Sequence, residues 1–537
     1  MNERRPTRVF VAAVCALTAC STASYVADAD EEVDAVLGHA RTTTLGNRES
    51  WVIRPVSEPL PPPESPAAEP PPPGAAAAAP PAAPVAATEI FDLDRALQTA
   101  VRQNRDFLSR REGLYREGLS IALTRFQFGP QFASAISYLW PQSEGGFQRH
   151  GVGATLSGSQ ILPTGGTLAV ASGVDANWSA GPGSGDPLYG TTASVTLTQP
   201  LLRGAGYAIS HEALTQAERE LVYSIRDFED FRESFTIGVA QRFFELTSQK
   251  KTLANEDRNY EAAVFDRGKA EALLQVGRNA EQEVFRARRR EIEAKDQLIN
   301  AKAAYDRALD EFKILLGVPT TTAIDLTESE PPYEPVRFEV GSAVAAARHN
   351  RLDLITDRQR VEDTKRALRI AENDLLPDLS LVASYGVVGE ANDIGHAAPD
   401  EWSSSVGLTM EVPLQRKAQR NAYRSSLIAL EQARRGLQLR EDQLDLDIRD
   451  AMRSLKSLEE RIQLQVEQIE QERAAVTVTQ IRYEAGKLEN RDLLEARQAL
   501  VDAQNALIRL KVQHFVARLN LLKSMGLFFV DENGRWR

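Results

Sequence analysis

Two periodicities divide this chain. Phe132, Ile136, Tyr138 and Trp140 share one parity, as do Leu379, Leu381, Ala383, Tyr385 and Val387, and again Val406, Leu408, Met410 and Val412. Such alternation predicts strands with one apolar face. Each run is about ten residues, the length a tilted strand needs to cross a bilayer. Trp140, Trp178, Tyr189 and Trp402 fall near the predicted strand ends, where an aromatic girdle would sit. The second period is seven. Leu430, Leu437, Leu444, Ala451 and Leu458 form one series, and Ile448, Leu455, Ile462, Ile469 and Val476 another. Sustained heptads predict coiled-coil helices. They fall in two long segments nearly free of breakers, residues 203–276 and 415–485, each followed by a partner segment of 40 residues. At about 1.5 Å per residue, a helix of some seventy residues extends roughly 105 Å. Gly277 and Gly486 are then the far turns from which each chain runs back.

The pattern occurs twice. The helical stripe Ala96 to Phe107 and its counterpart Ala343 to Leu354 both contain Asn-Arg, at Asn104-Arg105 and Asn350-Arg351. Asn104 precedes Pro130 by 26 residues and Asn350 precedes Pro377 by 27; Gly277 to Gly317 and Gly486 to Gly526 both span 40. Pro130 to Pro200 spans 70 residues but Pro377 to Pro413 only 36, so the first copy holds enough extra chain for one hairpin. Val152 to Ile161 and Thr167 to Trp178, turned by Pro163-Thr164-Gly165-Gly166, are the candidate. The expectation is four strands in the first repeat and two in the second. Whether the added hairpin joins the sheet wall or folds elsewhere is open at this level.

The chain therefore divides into a signal at 1–19, an acidic arm at 20–54 and a Pro/Ala-rich linker at 55–88. Repeat 1 follows at 89–317, with strands about 131–200 and helices about 203–317. A connector at 318–340 leads to repeat 2 at 341–526, with strands about 378–412 and helices about 415–526, and a tail at 527–537. Between Arg54 and Val85 lie 13 of the 27 prolines, a composition that cannot build a core and behaves as a stiff spacer. The acidic arm, with Ala27-Asp28-Ala29-Asp30-Glu31-Glu32-Val33, holds at most a short helix and reads as a solvated tether. Arg4, Arg5 and Arg8 precede a short apolar stretch from Val9 to Leu17, the form of an export signal too short to span a membrane. No run of 18 apolar residues follows, so any crossing is made by strands.

Charged residues make up 26% of the chain, aromatics 7%, and the formal charge is −12. That balance makes nucleic acid an unsuitable partner. The six histidines are scattered without metal-ligand spacing, and no Walker-type phosphate loop or nucleophile–base constellation occurs. No cofactor, no metal and no enzymatic activity are expected. Four to six strands cannot close a barrel, for which about eight are the minimum, and an open edge in lipid leaves backbone groups unpaired. Several protomers sharing one barrel would resolve this, with their helices forming a tube. The competing reading is a lipid-anchored coiled-coil spacer or adaptor with a small soluble β-domain and no pore.

Several motifs resemble known ones. Leu17-Thr18-Ala19-Cys20 is similar to the bacterial lipobox, which implies a lipid on Cys20, and Ser21 after it implies shipment to the outer membrane. Thr198 to Gly206, with Gln199, Pro200, Gly204 and Gly206, resembles the strand-to-helix junction of TolC-like outer membrane efflux proteins. Val412-Pro413-Leu414 is similar to its second-repeat counterpart. Val276-Gly277 with Val284 and Ala287, and Ala485-Gly486 with Leu493 and Ala496, resemble that family's two periplasmic tip turns. The resemblance covers residues 90 to 526. It implies an α+β fold: a trimeric outer-membrane β-barrel continuous with a long α-helical coiled-coil periplasmic tunnel, two internal repeats per protomer. The implied assembly is a homotrimer docked on a periplasmic adaptor and an inner-membrane pump, anchored in outer-membrane lipid and extending into the periplasm, and working as the passive duct of a tripartite efflux or type I secretion system.

The same resemblance places Asp492 and Glu495, three apart on one helix face, at the pore aperture, with Glu283 as the first-repeat acidic position. Pairing with Arg491 or Arg497 on a solvated face is the alternative for the two carboxylates. Where the family pattern often has an arginine two residues after the tip glycine, this chain has Leu488, with Arg491 as a possible substitute. Arg278 and Lys487 beside the tip glycines are candidates for adaptor docking. The cluster Arg286, Arg288, Arg289 and Arg290 reads either as a solvated face or as part of that surface.

Overall fold

The structure, a computed structural model, describes residues 22–45, 89–139, 148–180, 186–277, 280–393, 396–485, 487–488 and 490–536. Its elements run α1 (Thr22–Leu45), β1 (Glu89–Phe91), α2 (Leu93–Gln103), α3 (Arg105–Phe128), β2 (Gln131–Leu139), β3 (Gln148–Ile161), β4 (Thr167–Ala180), β5 (Leu188–Pro200), α4 (Tyr207–Ser210), α5 (Glu212–Gln275) and α6 (Glu281–Leu316). After β6 (Ile324–Leu326) come α7 (Val340–Asn350), α8 (Leu352–Asn373), β7 (Asp378–Ala391), β8 (Glu401–Glu411), α9 (Lys417–Glu484) and α10 (Asn490–Ser524). The predicted signal with Cys20, the linker and Trp140 lie outside the described residues.

One compact unit gathers α1 with residues 114–225 and 356–439. Its sheet has the order β2-β3-β4-β5-β7-β8, and every pairing is antiparallel. The Pro163–Gly166 hairpin is therefore part of the sheet, and its strands are longer than the alternation indicates, 14 residues each. Beside the sheet, α1 packs on α3. Val33, Val36 and Leu37 are buried at helical spacing, the Cβ position of Gly118 lies 2.8 Å from Val33 Cγ1, and the Tyr115 hydroxyl donates to Asp30. For residues 22–45 this corrects the reading of the acidic arm as a solvated tether. The acidic run masks an apolar i, i+3, i+4 stripe that needs a helix partner.

The other unit gathers residues 89–113, 226–355 and 440–536. Its core brings Phe91, Phe243, Phe312, Leu316, Phe515 and Phe528 around the short parallel pair β1·β6. Two close approaches fix helix ends here. Asn104, between α2 and α3, accepts from the Phe107 amide at 2.8 Å and donates to the Leu315 carbonyl at 2.7 Å. The side chain thus caps the start of α3 while satisfying the end of α6. Gly317 ends α6 at φ 79° with its Cβ position overlapping the Gln103 carbonyl, and at Gly526, φ 67°, the Cβ position lies 2.8 Å from Asn350 Cβ. The left-handed backbone and the absence of a side chain are both required at these two glycines. They account for the coincidence of Asn-Arg motifs and glycine spacings in the two halves.

The C-terminal segment is folded rather than trailing. Val530 bridges Trp536, and Trp536 lies 6.2 Å from Phe528 and 6.1 Å from Phe515, ring to ring. In the long helices, α5 holds 64 residues and α9 holds 68, or about 96 and 102 Å. The heptad residues Leu444, Ile448, Leu455, Leu458, Ile462 and Ile469 are buried, so they form the seam that α9 presents to its neighbours. No helix among the described residues is long and apolar enough to cross a membrane.

Candidate functional site

Register decides what the sheet can face. Partners across an antiparallel ladder lie on the same side, and the pairings Phe132↔Gly158↔Val170↔Val195↔Tyr385↔Ser404 cross all six strands. Following alternate residues from that row collects Ile136, Tyr138, Leu156, Val174, Leu197, Leu379, Leu381, Trp402, Val406, Leu408 and Met410 on one face. Among the described residues this face holds no Asp, Glu, Lys or Arg. Yet Phe132, Ile136, Val406, Leu408 and Met410 are all exposed, Phe132 by 78%. The opposite face carries mostly Ser, Thr, Gly and Ala with Asp175, Asp378, Glu390, Glu401 and Glu411. The polar face is exposed as well along β2 and β8, so the sheet offers one apolar and one polar surface, suited to contact with lipid and with water respectively. The edge strands β2 and β8 each pair on one side only.

At one end of the sheet the β5–α4 junction locks onto the β3–β4 turn. Gln199 donates through Nε2 to the carbonyls of Pro200 at 2.8 Å and Thr164 at 3.1 Å, and accepts from the Thr164 hydroxyl at 2.6 Å. The Gly206 amide donates to the Thr164 carbonyl, and the Gly204 amide to Asn373 Oδ1, both at 2.8 Å. Arg203 pairs with Asp378 at 2.8 Å. On the second-repeat side, Arg416 donates to the Pro413 carbonyl at 3.2 Å and the Leu375 carbonyl at 3.0 Å.

The other candidate region lies where α5 gives way to α6 and α9 to α10. Gly277 follows α5 at φ 71°, its amide donating to the Leu274 carbonyl. Ion pairs tie the helices nearby: Arg267 to Glu291 at 2.6 Å, Arg288 to Glu271 at 2.9 Å, and Arg497 to Asp266 at 3.3 Å. Burial pushes the Asp266 carboxyl up, with Arg497 and Lys269 opposing it. The hydrogen bond from Arg288 holds Glu271 below the usual carboxylate range. Lys269 sits 4.7 Å from the Tyr483 ring centre. A groove of about 670 Å³ between α6 and α10 is lined by Glu283, Arg286, Arg290, Glu293, Arg491 and Glu495 among others. Its charges are largely matched, with Glu283 on Arg286 and Glu495 on Arg491, both at 2.6 Å.

Comparison with known proteins supplies the deciding observation: residues 343–527 match the family described as Outer membrane efflux protein. The chain is a relative of the TolC-like outer membrane efflux proteins. It is 24% identical over 352 residues to the alkaline protease secretion protein AprF of Pseudomonas aeruginosa, covering 60% of this chain and 67% of that protein. Its fold is that of the outer membrane protein VceC from Vibrio cholerae, with a TM-score of 0.60, 16% identity and coverage of 81% of this chain and 96% of that one. The Campylobacter jejuni CmeC outer membrane channel is similar too, with a TM-score of 0.59, 16% identity and coverage of 81% and 85%.

Within this efflux-protein relative, the predicted junction residues Gln199 and Gly206 both bond Thr164, while Gly204 bonds Asn373. Glu283 and Glu495 line one groove, whereas Asp492 is exposed on α10 outside its lining. Lys487 is exposed, its amide donating to the Arg482 carbonyl at 2.9 Å. Cys20, Arg278 and Gly486 lie outside the described residues. Sequence reading missed Asn373, Asp378 and Arg416 as junction residues, since the contacts of Asn373 with Gly204, Asp378 with Arg203 and Arg416 with Leu375 span distances that no local motif encodes.

Proposed function

We infer that this chain is the outer-membrane channel component of a tripartite efflux or type I secretion system, a passive trimeric duct. The observation that carries this reading is the two-faced six-stranded sheet with unpaired edges. Lipid around an open edge would leave strand amides and carbonyls without partners. Three copies joined edge to edge form one barrel of eighteen strands, apolar face to lipid and acidic face to water. A coiled-coil spacer has no use for an exposed apolar sheet, which would be an aggregation hazard in water.

In this reading Cys20 carries lipid in the outer membrane, and the coiled-coil helices form a periplasmic tunnel. A periplasmic adaptor docks near Arg278 and Lys487, and an inner-membrane pump supplies the energy. Asp492, Glu495 and Glu283 stand at the aperture, where three copies of each carboxylate would draw cations. Movement of the tip helices gates the pore. The test is planar-bilayer recording of the full chain purified in detergent. A heat-modifiable trimer with discrete single-channel conductance supports the duct, and a monomer that is soluble without detergent contradicts it.

A further inference from the structure

Along α10 the connector between the two repeats is held by ion pairs on either side of a buried histidine. Glu330 of the connector pairs with Lys511 at 3.0 Å, and Glu334 pairs with Arg518; both carboxylates are more than half exposed, 56% and 61%. One turn from each cation lies His514, whose side chain is 1% exposed. Tyr333 of the connector packs on it, ring centres 4.9 Å apart. From α9, Glu459 brings Oε1 to 3.5 Å from His514 Nε2, longer than an ordinary hydrogen bond. The same oxygen accepts from the Val336 amide at 2.9 Å. Neither ring nitrogen of His514 has a hydrogen-bond partner among the described residues.

A buried imidazole without partners tolerates only its neutral form, since burying a charge costs far more than burying a polar group. Charged, the ring presents two N–H donors, and Glu459 can answer only the one on Nε2. The charged and titratable groups around it do not repair this. Glu459 on α9 is shared with Val336, and Lys456 lies beside it in the lining of one groove. Glu330 and Glu334 on the connector are matched by Lys511 and Arg518 on α10, with Lys251 of α5 also on Glu330. Tyr333 on the connector offers a ring rather than a charge. Burial therefore holds the imidazole below its ordinary 6.5, with Glu459 opposing and Arg518 assisting.

We propose that His514 is an acid-sensitive pin for the connector: while the ring is neutral, residues 333–336 lie closed over it, and its protonation lifts them, freeing the Val336 amide from Glu459 and letting water reach the ring. Acid thus loosens the link between repeat 1 and repeat 2, whether or not the chain forms a pore. Above the ordinary 6.5 the ring is neutral with the connector closed or open, so closure is at full strength. As pH falls below that value the open form binds a proton that the closed form refuses. Closure then weakens by up to about tenfold per pH unit, until the closed form is protonated too. Glu330, its carboxyl brought to about 2, stays charged through this range and keeps the outer tie in place.

The test is hydrogen exchange of the full-length chain in detergent at about pH 7.5 and about pH 5.5, corrected for the intrinsic pH dependence of exchange. Peptides carrying Val336 are expected to exchange several-fold faster at the lower pH, up to about tenfold, while peptides from the buried core of α5 around Phe243 hold steady. His514→Gln has nothing to titrate at this position and is expected to give one rate at both pH values. Tyr333→Ala, at a position 40% exposed, lets water reach the ring with the connector in place and is expected to abolish the acid response from the other side. Equal corrected rates at both pH values in the unmodified chain overturn the pin. So does an acid response that persists in His514→Gln or, where that variant does not fold, in Tyr333→Ala. None of these results bears on conductance, so the duct stands or falls separately.

Discussion

Glu229 and Arg232, one turn apart on α5, form a 2.7 Å ion pair whose side chains are 6% and 5% exposed. Arg232 also donates to the carbonyls of Val530 at 3.1 Å and Asp531 at 2.7 Å. A buried cation thus closes the C-terminal segment over the core. Arg232→Ala would leave Glu229 buried with this partner removed and release two carbonyls, at a cost of about 3–5 kcal/mol. The expected outcome is a large drop in melting temperature and faster proteolysis after residue 526, measured by calorimetry and limited trypsinolysis.

The connector is tied down by charge. Glu330 accepts from Lys251 on α5 at 2.9 Å and Lys511 on α10 at 3.0 Å, and these two hydrogen bonds bring its carboxyl from the ordinary 4.5 to about 2. A depressed carboxylate contributes stability above its unfolded pKa and loses it as pH falls through the folded value. The contribution is therefore complete above about pH 4.5 and gone near pH 2. The side chain is 56% exposed, so solvent screening keeps the effect modest. Glu330→Gln should flatten that part of the acid denaturation curve, with little change between native and variant at the acid extreme.

Helix α1 depends on Gly118 having no side chain. Its Cβ position lies 2.8 Å from Val33 Cγ1 and 3.2 Å from Leu37 Cδ1, so Gly118→Leu forces α1 away from α3. Overpacking of this kind costs about 1–3 kcal/mol. Hydrogen exchange should show amides of residues 26–40 losing protection, while the β3–β4 amides keep theirs.

At the tip, Asp492→Ala with Glu495→Ala removes the acidic pair that the proposed aperture uses. Conductance is expected to rise and block by divalent cations to weaken. Arg491 pairs with Glu495 at 2.6 Å, so Glu495→Ala alone also breaks that ion pair, and the double variant should be compared with Arg491→Ala. Unchanged conductance and unchanged block would remove these residues from the pore.

What was legible in the chain follows from how local each signal is. Strand parity is a period of two, so Val406, Leu408 and Met410 announce one face without reference to any other strand. Heptads are equally local, and Leu444, Ile448 and Leu455 are buried where the series puts them. The hairpin excess was visible as chain length, but its place inside the sheet depends on pairing of β2 with β3 and of β4 with β5, which no local pattern states. Helix α3 was missed because its charged residues hide a weak apolar stripe, and α1 because an acidic run reads as solvated. The roles of Asn104 and Gly317 show only when the distant ends of α2 and α6 meet.

The most direct measurement is a cryo-electron microscopy map of the full chain in detergent. It is predicted to show three copies contributing six strands each to one closed ring around an open lumen. A solitary chain whose sheet keeps both edges free, with no ring and no lumen, would contradict the account.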